Sequence, residues 1–150
     1  MPAIDSKITL DFPALSPSVR RFLEQPRFGT VATLNPDGSP LQAVVWYLLD
    51  GDEIVFNSRL GRLWPSNLLR DPRVSLTVAD GYDYVDLRGE IRCYDDPVLG
   101  QAVIAQLTRR YQPNGEKAAA QIAGFQKERR VTFGLRASRV FAHLSDGSAE

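Results

Sequence analysis

Hydrophobic residues alternate with polar ones, or form short continuous apolar runs, in six stretches of the chain. This spacing is typical of β-strands, in which successive side chains point to opposite faces. The run at 41–49 (LQAVVWYLL) is almost entirely apolar, so we expect it to be covered on both faces. Tight-turn signals separate the first strands, with NPDG at 35–38 and DG at 50–51. The predicted strands span residues 28–34, 41–49, 53–58, 74–78, 85–93 and 130–144.

Shorter segments carry apolar residues at helical spacing. Ser16-Pro17 and Asp96-Pro97 each combine an N-cap side chain with proline at the first helical position, which indicates a helix start. Pro26 ends the first of these helices. Residues 63–70 and 116–127 predict two further helices.

Six strands with few helices predict a mainly β (α+β) fold, built as a small and mostly antiparallel barrel. Closure of a barrel removes the exposed strand edges that an open sheet must protect. The length of 150 residues, 43% of them hydrophobic, favours a single domain spanning 1–150. Within it, we expect residues 1–14 to form an N-terminal arm and residues 145–150 a flexible polar tail.

The charges balance, with 18 basic and 18 acidic residues. A balanced chain lacks the basic excess typical of nucleic-acid-binding proteins, so we expect no nucleic-acid partner. No run approaches the roughly 18 apolar residues of a membrane-spanning helix, so we expect no membrane association. The first residues show no apolar segment behind a basic start, which predicts that the chain has no signal peptide.

Cysteine and histidine occur once each, as Cys93 and His143. A single cysteine excludes a disulfide within one chain and favours a reduced, cytoplasmic setting. This pair also argues against a structural zinc site within one subunit. The alternation of residues 85–93 predicts that Cys93 is a small core residue. No G-x-S-x-G elbow accompanies His143, which we expect to be a partly exposed residue at a strand end.

The junction between the third strand and the next helix collects polar and basic side chains. Asn57 and Ser58 end the strand, and Arg59 and Arg62 flank Gly61 before the helix. A helix N-terminus carries unpaired N–H groups and partial positive charge, and a guanidinium binds phosphate through two hydrogen bonds. The combination predicts a phosphate clamp. The alternative is that both arginines are solvated loop charges, and that Asn57 or Ser58 only caps the helix.

Four segments carry a more specific pattern: RFGTVATLNPDGSPLQAVVWY, FNSRLGRLWPSNLLRDP, NLLRDPRVSL and YDYVDLRGEI. They resemble the split-barrel flavin-binding superfamily typified by pyridoxamine 5′-phosphate oxidase. Within it, the similarity is closest to the small proteins that use the deazaflavin coenzyme F-420. The resemblance runs from about residue 15 to residue 144.

This resemblance implies a six-stranded split barrel with helices packed outside it. It also implies a homodimer, with two cofactors in grooves between the subunits. The phosphate-bearing tail of the cofactor would lie at Asn57, Ser58, Arg62 and Asn67. The cofactor ring would lie against the second strand, whose residues there are Ala43, Val44, Val45 and Trp46.

Three sets of residues are open to two interpretations each. Trp64 stands where the family has lysine; it either stacks on or hydrogen-bonds to a ligand, or packs on the barrel or the partner subunit. Trp46 and Tyr47 point to opposite sides of a strand, so one lines the groove or interface and the other enters the core. Arg129 and Arg130 either add charge to the partner's site or are solvated.

The resemblance implies an oxidoreductase that transfers a hydride between a deazaflavin and a small organic, conjugated substrate. The cofactor would supply the redox chemistry, and no side chain is evident as a general acid or base. The first alternative is an FMN-dependent oxidase or reductase on the same barrel, because an FMN phosphate needs fewer cations than a long anionic tail. The second is a non-catalytic module that binds a flavin or a haem.

Overall fold

The computed structural model describes residues 12–145. The predicted N-terminal arm and flexible tail lie largely outside these residues. The helices of the described part are α1 (Pro17–Glu24), α2 (Leu63–Arg70), α3 (Pro97–Tyr111) and α4 (Gly115–Phe125). The strands are β1 (Gly29–Leu34), β2 (Pro40–Val45), β3 (Leu48–Asp50), β4 (Glu53–Arg59), β5 (Arg73–Asp80), β6 (Asp83–Tyr94), β7 (Arg130–Arg136) and β8 (Arg139–His143).

The strands form one antiparallel sheet in the order β2-β1-β5-β6-β7-β4-β3, with β8 paired to β6. β2 and β3 lie at opposite ends of this order, yet only Trp46 and Tyr47 separate them in the chain. A two-residue link reaches roughly 10 Å at most, so the sheet must curl until its two ends meet. The result is the predicted mainly β split barrel, with four helices outside the sheet.

The six predicted strands appear as eight because two of them are broken. The predicted strand 41–49 breaks at Trp46–Tyr47, and the predicted strand 130–144 breaks at Ala137–Ser138. At each break the chain changes partner. The first passes from β1 to β4, and the second passes from a pairing with β4 and β6 to a pairing along β6 alone.

The expectation that residues 41–49 are covered on both faces is wrong. β2 pairs only with β1, and its outward-facing side chains are open, with Val44 69% exposed. The strands covered on both faces are instead β4 and β7. Helix α3 lies over their outer face, where Val55 packs with Val103, Ile104 and Leu107.

Tyr111 of α3 stabilises the chain at the break between β2 and β3 through hydrogen bonds. Its hydroxyl oxygen accepts the Tyr47 N–H at 3.2 Å and lies 2.5 Å from the carbonyl oxygen of Arg27. The Tyr47 side chain enters the core, where its hydroxyl donates to the Leu23 carbonyl at 2.9 Å. Burial raises the pKa of Tyr47 to about 12, which keeps this donor protonated. Trp46 therefore takes the outward position of the pair.

Cys93 and His143 both lie near strand ends. Cys93 is exposed, so its prediction as a core residue is wrong, because β6 continues past Ile91, its last buried residue. Burial of part of the thiol, and the nearby charge of Asp95, raise the pKa of Cys93. His143 is exposed at the end of β8, as predicted, with Nδ1 3.0 Å from the carbonyl oxygen of Tyr82.

In residues 12–145, no helix has the length and apolar character needed to cross a membrane.

Candidate functional site

A cleft of about 190 Å³ opens where the end of β2, the outer face of β4 and the start of α2 meet α3 and the start of β7. It joins the two regions to which the sequence assigned a cofactor ring and a phosphate. Six of the predicted cofactor-binding residues line it: Val44, Val45, Trp46, Asn57, Arg62 and Trp64. Four residues that were not predicted to bind the cofactor also line it: Ile104, Leu107, Phe125 and Arg130.

One end of the cleft is cationic. Arg62 is the N-cap residue of α2, and its exposed side chain makes no capping hydrogen bond. Gly61 has a positive φ of 99°, which lets the chain turn sharply into the helix. Arg59 is exposed at the end of β4 and does not line the cleft. The N-terminus of α2 adds partial positive charge and unpaired N–H groups, so this end suits an anionic group.

Arg130 is the deeper cation of the cleft, with 7% of the residue exposed. Its Nε donates to Oδ1 of Asn57 at 3.1 Å, and its Nη1 donates to the carboxylate of Glu128. Burial lowers the pKa of Arg130, Glu128 opposes this, and the charges of Arg62 and Arg59 lower it further. The interpretation of Arg130 as a solvated charge is therefore wrong; Arg129 is exposed and pairs with Asp95.

Asn57 lines the cleft, but the protein itself uses both ends of its amide. Its Nδ2 donates to the carbonyl oxygen of Gly100 at 2.8 Å, while Oδ1 accepts from Arg130. A Cβ atom at Gly100 would lie 2.3 Å from the carbonyl oxygen of Arg130, so only glycine permits this approach of α3 to β7. Asn57 thus ties α3 to Arg130 and holds the guanidinium in place.

Ser58 and Asn67 are buried and do not line the cleft. Side chains alternate along β4, so Ser58 points to the barrel side, where its hydroxyl donates to the Arg59 carbonyl at 3.2 Å. The Asn67 amide donates to Thr33 at 3.1 Å and to Asn35 at 3.0 Å, which fixes α2 to β1. Their assignment to a phosphate stays a prediction.

Trp64 packs on the barrel, as one of its two interpretations holds. It is 7% exposed, and its ring lies 5.8 Å from that of Phe56 and 5.7 Å from that of Phe133. One part of the residue reaches the cleft wall. A lysine here would have to bury its stem among aromatic rings, so the position follows core packing in this chain.

The other end of the cleft is apolar. Trp46 is partly exposed and stacks on Tyr111, with ring centroids 5.3 Å apart and planes 8° from parallel. Tyr111 stacks in turn on Phe28 at 5.7 Å. Val44 lies exposed at the rim, whereas Ala43 faces the other way and packs against the core. This end suits a flat, apolar ring.

Sequence reasoning missed the part of the cleft built by α3, α4 and the first residue of β7. The apolar residues at helical spacing after Asp96-Pro97 formed a pattern that predicted a helix with one buried face. It did not indicate which strand that face covers. Phe125 was visible only as an apolar residue of a predicted helix. Arg130 carried a weak signal, as one of two adjacent arginines before a strand.

The residues that line the cleft include no carboxylate, imidazole or thiol. Nor do the described residues hold any group of three or more His, Cys, Asp or Glu side chains that could bind a metal ion. Two larger hollows, of about 890 Å³ and 410 Å³, lie on the surface of the other half of the sheet, and a third of about 320 Å³ lies between α3 and α4. None of the three contains a predicted site residue.

The curled antiparallel sheet, with its cleft between β2, β4 and α2, gives this chain the architecture of a split-barrel protein. A sequence model described as pyridoxamine 5′-phosphate oxidase matches residues 15–143. The chain therefore belongs to the pyridoxamine 5′-phosphate oxidase family, as its motifs predict. No curated protein matches the chain.

Solved structures show the same architecture. An F420 reductase shares 27% identity with a TM-score of 0.66, and the match covers 84% of this chain and 98% of that one. A conserved hypothetical protein from Mycobacterium tuberculosis shares 27% identity with a TM-score of 0.72, covering 93% and 96%. The heme storage protein from Vibrio cholerae is 17% identical with a TM-score of 0.67, covering 87% and 95%, which shows the fold alone.

Proposed function

We propose that the protein is a deazaflavin-dependent oxidoreductase, which uses coenzyme F-420 to transfer a hydride to or from a small, conjugated organic substrate. The observation that carries this proposal is the cleft itself, which has an aromatic and apolar end at β2 and a cationic end at α2 and β7. The similarity to an F420 reductase supports the choice of cofactor. The single cysteine, Cys93, is compatible with a reducing cytoplasmic setting.

The residues of the cleft fit the two ends of such a cofactor. Arg62 and the N-terminus of α2 would hold a phosphate, with Arg59 adding charge nearby. Val44 and Trp46 would border the ring. The bound cofactor supplies the hydride chemistry, so the protein's part is to bind, orient and shield the reacting atoms from water. This division of labour agrees with a cleft lined without acid–base side chains.

The size of the cleft supports a homodimer. A volume of about 190 Å³ is below the roughly 300–1,000 Å³ of sites that enclose drug-sized ligands. One chain therefore encloses only part of a ring system with a phosphorylated tail. The exposed apolar side chains of Val44 and Leu63, 69% and 73% exposed, are available for a second subunit that completes the groove.

Sedimentation velocity at micromolar concentration is expected to give twice the chain mass of 16.7 kDa. The physical reason is that the proposed cofactor groove needs a second wall. A monomer under these conditions, with cofactor present, would contradict the placement of the groove between subunits.

The proposal is tested by titrating the purified protein with coenzyme F-420 and, separately, with FMN. We expect saturable binding of the deazaflavin, measured by the change in its fluorescence, and slower or weaker binding of FMN. Turnover is then measured with reduced deazaflavin and a panel of conjugated acceptors. Tight FMN binding with no deazaflavin binding would overturn the proposal.

An FMN-dependent oxidase or reductase is the second candidate. The observation that favours it is Trp64, which is packed among Phe56 and Phe133 at the position where the family has lysine. The cleft thus has one cation fewer than the family pattern provides for a long anionic tail. A single FMN phosphate needs fewer cations than such a tail. A non-catalytic flavin or haem module would bind its ligand tightly and show no turnover with any acceptor.

Replacing Arg62 by alanine is expected to weaken cofactor binding by about 1–3 kcal/mol, the usual contribution of a hydrogen bond to a charged group. The fluorescence titration measures this change. Arg109→Ala is the matched control, because Arg109 is an exposed cation on α3 that lies outside the cleft. Equal affinity of the wild type and Arg62→Ala would place the phosphate elsewhere.

A further inference from the structure

Arg130 offers an incompletely satisfied guanidinium to the cleft. Nε donates to Asn57 and Nη1 donates to Glu128, and Cζ lies over the ring of Phe125, 4.8 Å from its centroid. Nη2 has no hydrogen-bond acceptor within residues 12–145. The carboxylate of Glu128 thus uses one donor of the fork, although a guanidinium can present two parallel donors to an oxyanion.

The backbone around Glu128 is anchored, while its side chain is free to move. Gln101 donates to the Glu128 carbonyl oxygen at 2.9 Å, and the Glu128 N–H donates to the carbonyl oxygen of Phe125 at 3.0 Å. The side chain is 33% exposed, and Arg130 is its one hydrogen-bond partner in the described chain. The carboxylate can therefore turn towards solvent without disturbing the fold, and there it would be fully hydrated.

Arg130 is also surrounded by charge of its own sign. Arg62 lines the same cleft, and the charges of Arg62 and Arg59 act on Arg130. Three cations close together are stabilised by an anion among them. Glu128 supplies a single negative charge from one side. A phosphate group carries more charge and could accept from both Nη atoms of Arg130 while also reaching Arg62.

We propose that Glu128 is a built-in competitor for the anionic group of the ligand: its carboxylate holds Arg130 while the cleft is empty, and a phosphate that binds between Arg130 and Arg62 displaces it. This inference deepens the proposed function, on which it rests for the identity of the natural ligand. Glu128 sets how strongly charged that ligand must be, because a weak anion cannot replace the carboxylate. The exchange requires no movement of the backbone.

The test measures binding of inorganic phosphate and of inorganic pyrophosphate by isothermal titration calorimetry at constant salt. Glu128→Gln keeps the shape of the side chain and removes the competing charge. We expect it to bind pyrophosphate about fivefold more tightly than the wild type, since such an ion pair is worth about 1 kcal/mol. Arg130→Gln is expected to lose about tenfold or more. Structural damage would lower the affinity of Glu128→Gln and could not raise it.

Asp95→Asn is the matched control. Asp95 is also a carboxylate paired with a neighbouring arginine, Arg129, at 3.1 Å, but Arg129, unlike Arg130, does not line the cleft. Both substitutions change the net charge equally, so a gain from long-range electrostatics would appear in both. The proposal is overturned if the affinities of Glu128→Gln and the wild type are equal, if the gain matches that of Asp95→Asn, or if neither protein binds the anion.

The outcomes also separate this inference from the proposed function. Inorganic pyrophosphate has no ring, so a gain in Glu128→Gln without deazaflavin binding in any variant would reject the proposed function alone. Deazaflavin binding that is identical in the wild type and Glu128→Gln would reject the role of Glu128 alone.

Discussion

Replacing Trp64 by alanine is expected to lower the free energy of unfolding by about 3–5 kcal/mol, the usual cost of truncating a buried aromatic residue to alanine. Trp64 lies between α2 and the barrel, with its ring against Phe56 and Phe133. The loss combines apolar area returned to water with the cavity left behind, because the rings of two strands cannot collapse onto a methyl group. A domain of this size has only about 5–15 kcal/mol of stability, so the change should be large.

Urea denaturation followed by circular dichroism measures this change without relying on tryptophan emission. Leu69→Ala is the control, because Leu69 lies in the same helix and is 51% exposed. We expect that variant to stay within about 0.5 kcal/mol of the wild type. Trp64→Lys should also be destabilised, because the lysine stem would fill only part of the space of the indole and would lie buried among the aromatic rings. Near wild-type stability of Trp64→Ala would mean that Trp64 serves a ligand and not the core.

Replacing Gly100 by alanine is expected to destabilise the protein by about 1–3 kcal/mol or more, although alanine is the better helix former. The new Cβ would lie 2.3 Å from the carbonyl oxygen of Arg130 and 3.0 Å from its carbonyl carbon, so α3 or β7 must move. The same movement would lengthen the hydrogen bond from Asn57 to Gly100 and disturb the support of Arg130. We therefore expect weaker pyrophosphate binding together with lower stability.

Gly124→Ala is the matched control for this prediction. Gly124 lies in α4, and a Cβ there would meet no atom within 4 Å. The helix propensity of alanine should then act alone and stabilise the protein by about 0.5–1 kcal/mol. Opposite signs for the two substitutions are the expected result. A stabilised Gly100→Ala variant would show that α3 does not approach β7 as closely as the structure indicates.

The proposed function and the Glu128 exchange together assign distinct tasks to the ends of the cleft. The aromatic stack beginning at Trp46 offers a rigid surface for a ring, because each ring of the stack restrains the next. The arginines at the other end hold charge that only an anion can stabilise. A ligand with both features would be oriented by the two ends at once, which is what a cofactor that transfers a hydride requires.

Most of the secondary structure could be predicted from the sequence because it depends on neighbouring residues. Ser16 accepts the Val19 N–H at 3.3 Å as the N-cap of α1, and Asp96 accepts two N–H groups at the start of α3. Both caps were evident as a short polar residue followed by proline. The six strand regions likewise follow from apolar alternation, which reflects the two faces of a sheet.

A cleft lies between the two regions where the sequence predicted the candidate site, but the residues that line it could not be predicted in detail. The sequence located the junction of β4 and α2 and the apolar run of β2, and the cleft lies between them. It could not show that Asn57 is occupied by Gly100 and Arg130, 43 and 73 residues away. Nor could it show that the Ser58 side chain points into the barrel. Which side chains of a strand point inward depends on the layers that cover each face of the sheet.

The sequence by itself determined where the strands, turns and helix starts lie, because caps, turns and alternation act over a few residues. Only the tertiary structure decided where the strands break, which strands are covered twice, and which cations meet in the cleft. The breaks at Trp46–Tyr47 and Ala137–Ser138 occur where the chain changes sheet partner, which no local pattern records. Arg130 lines the cleft because α3 packs across β4 and β7, and that packing depends on the glycine at position 100.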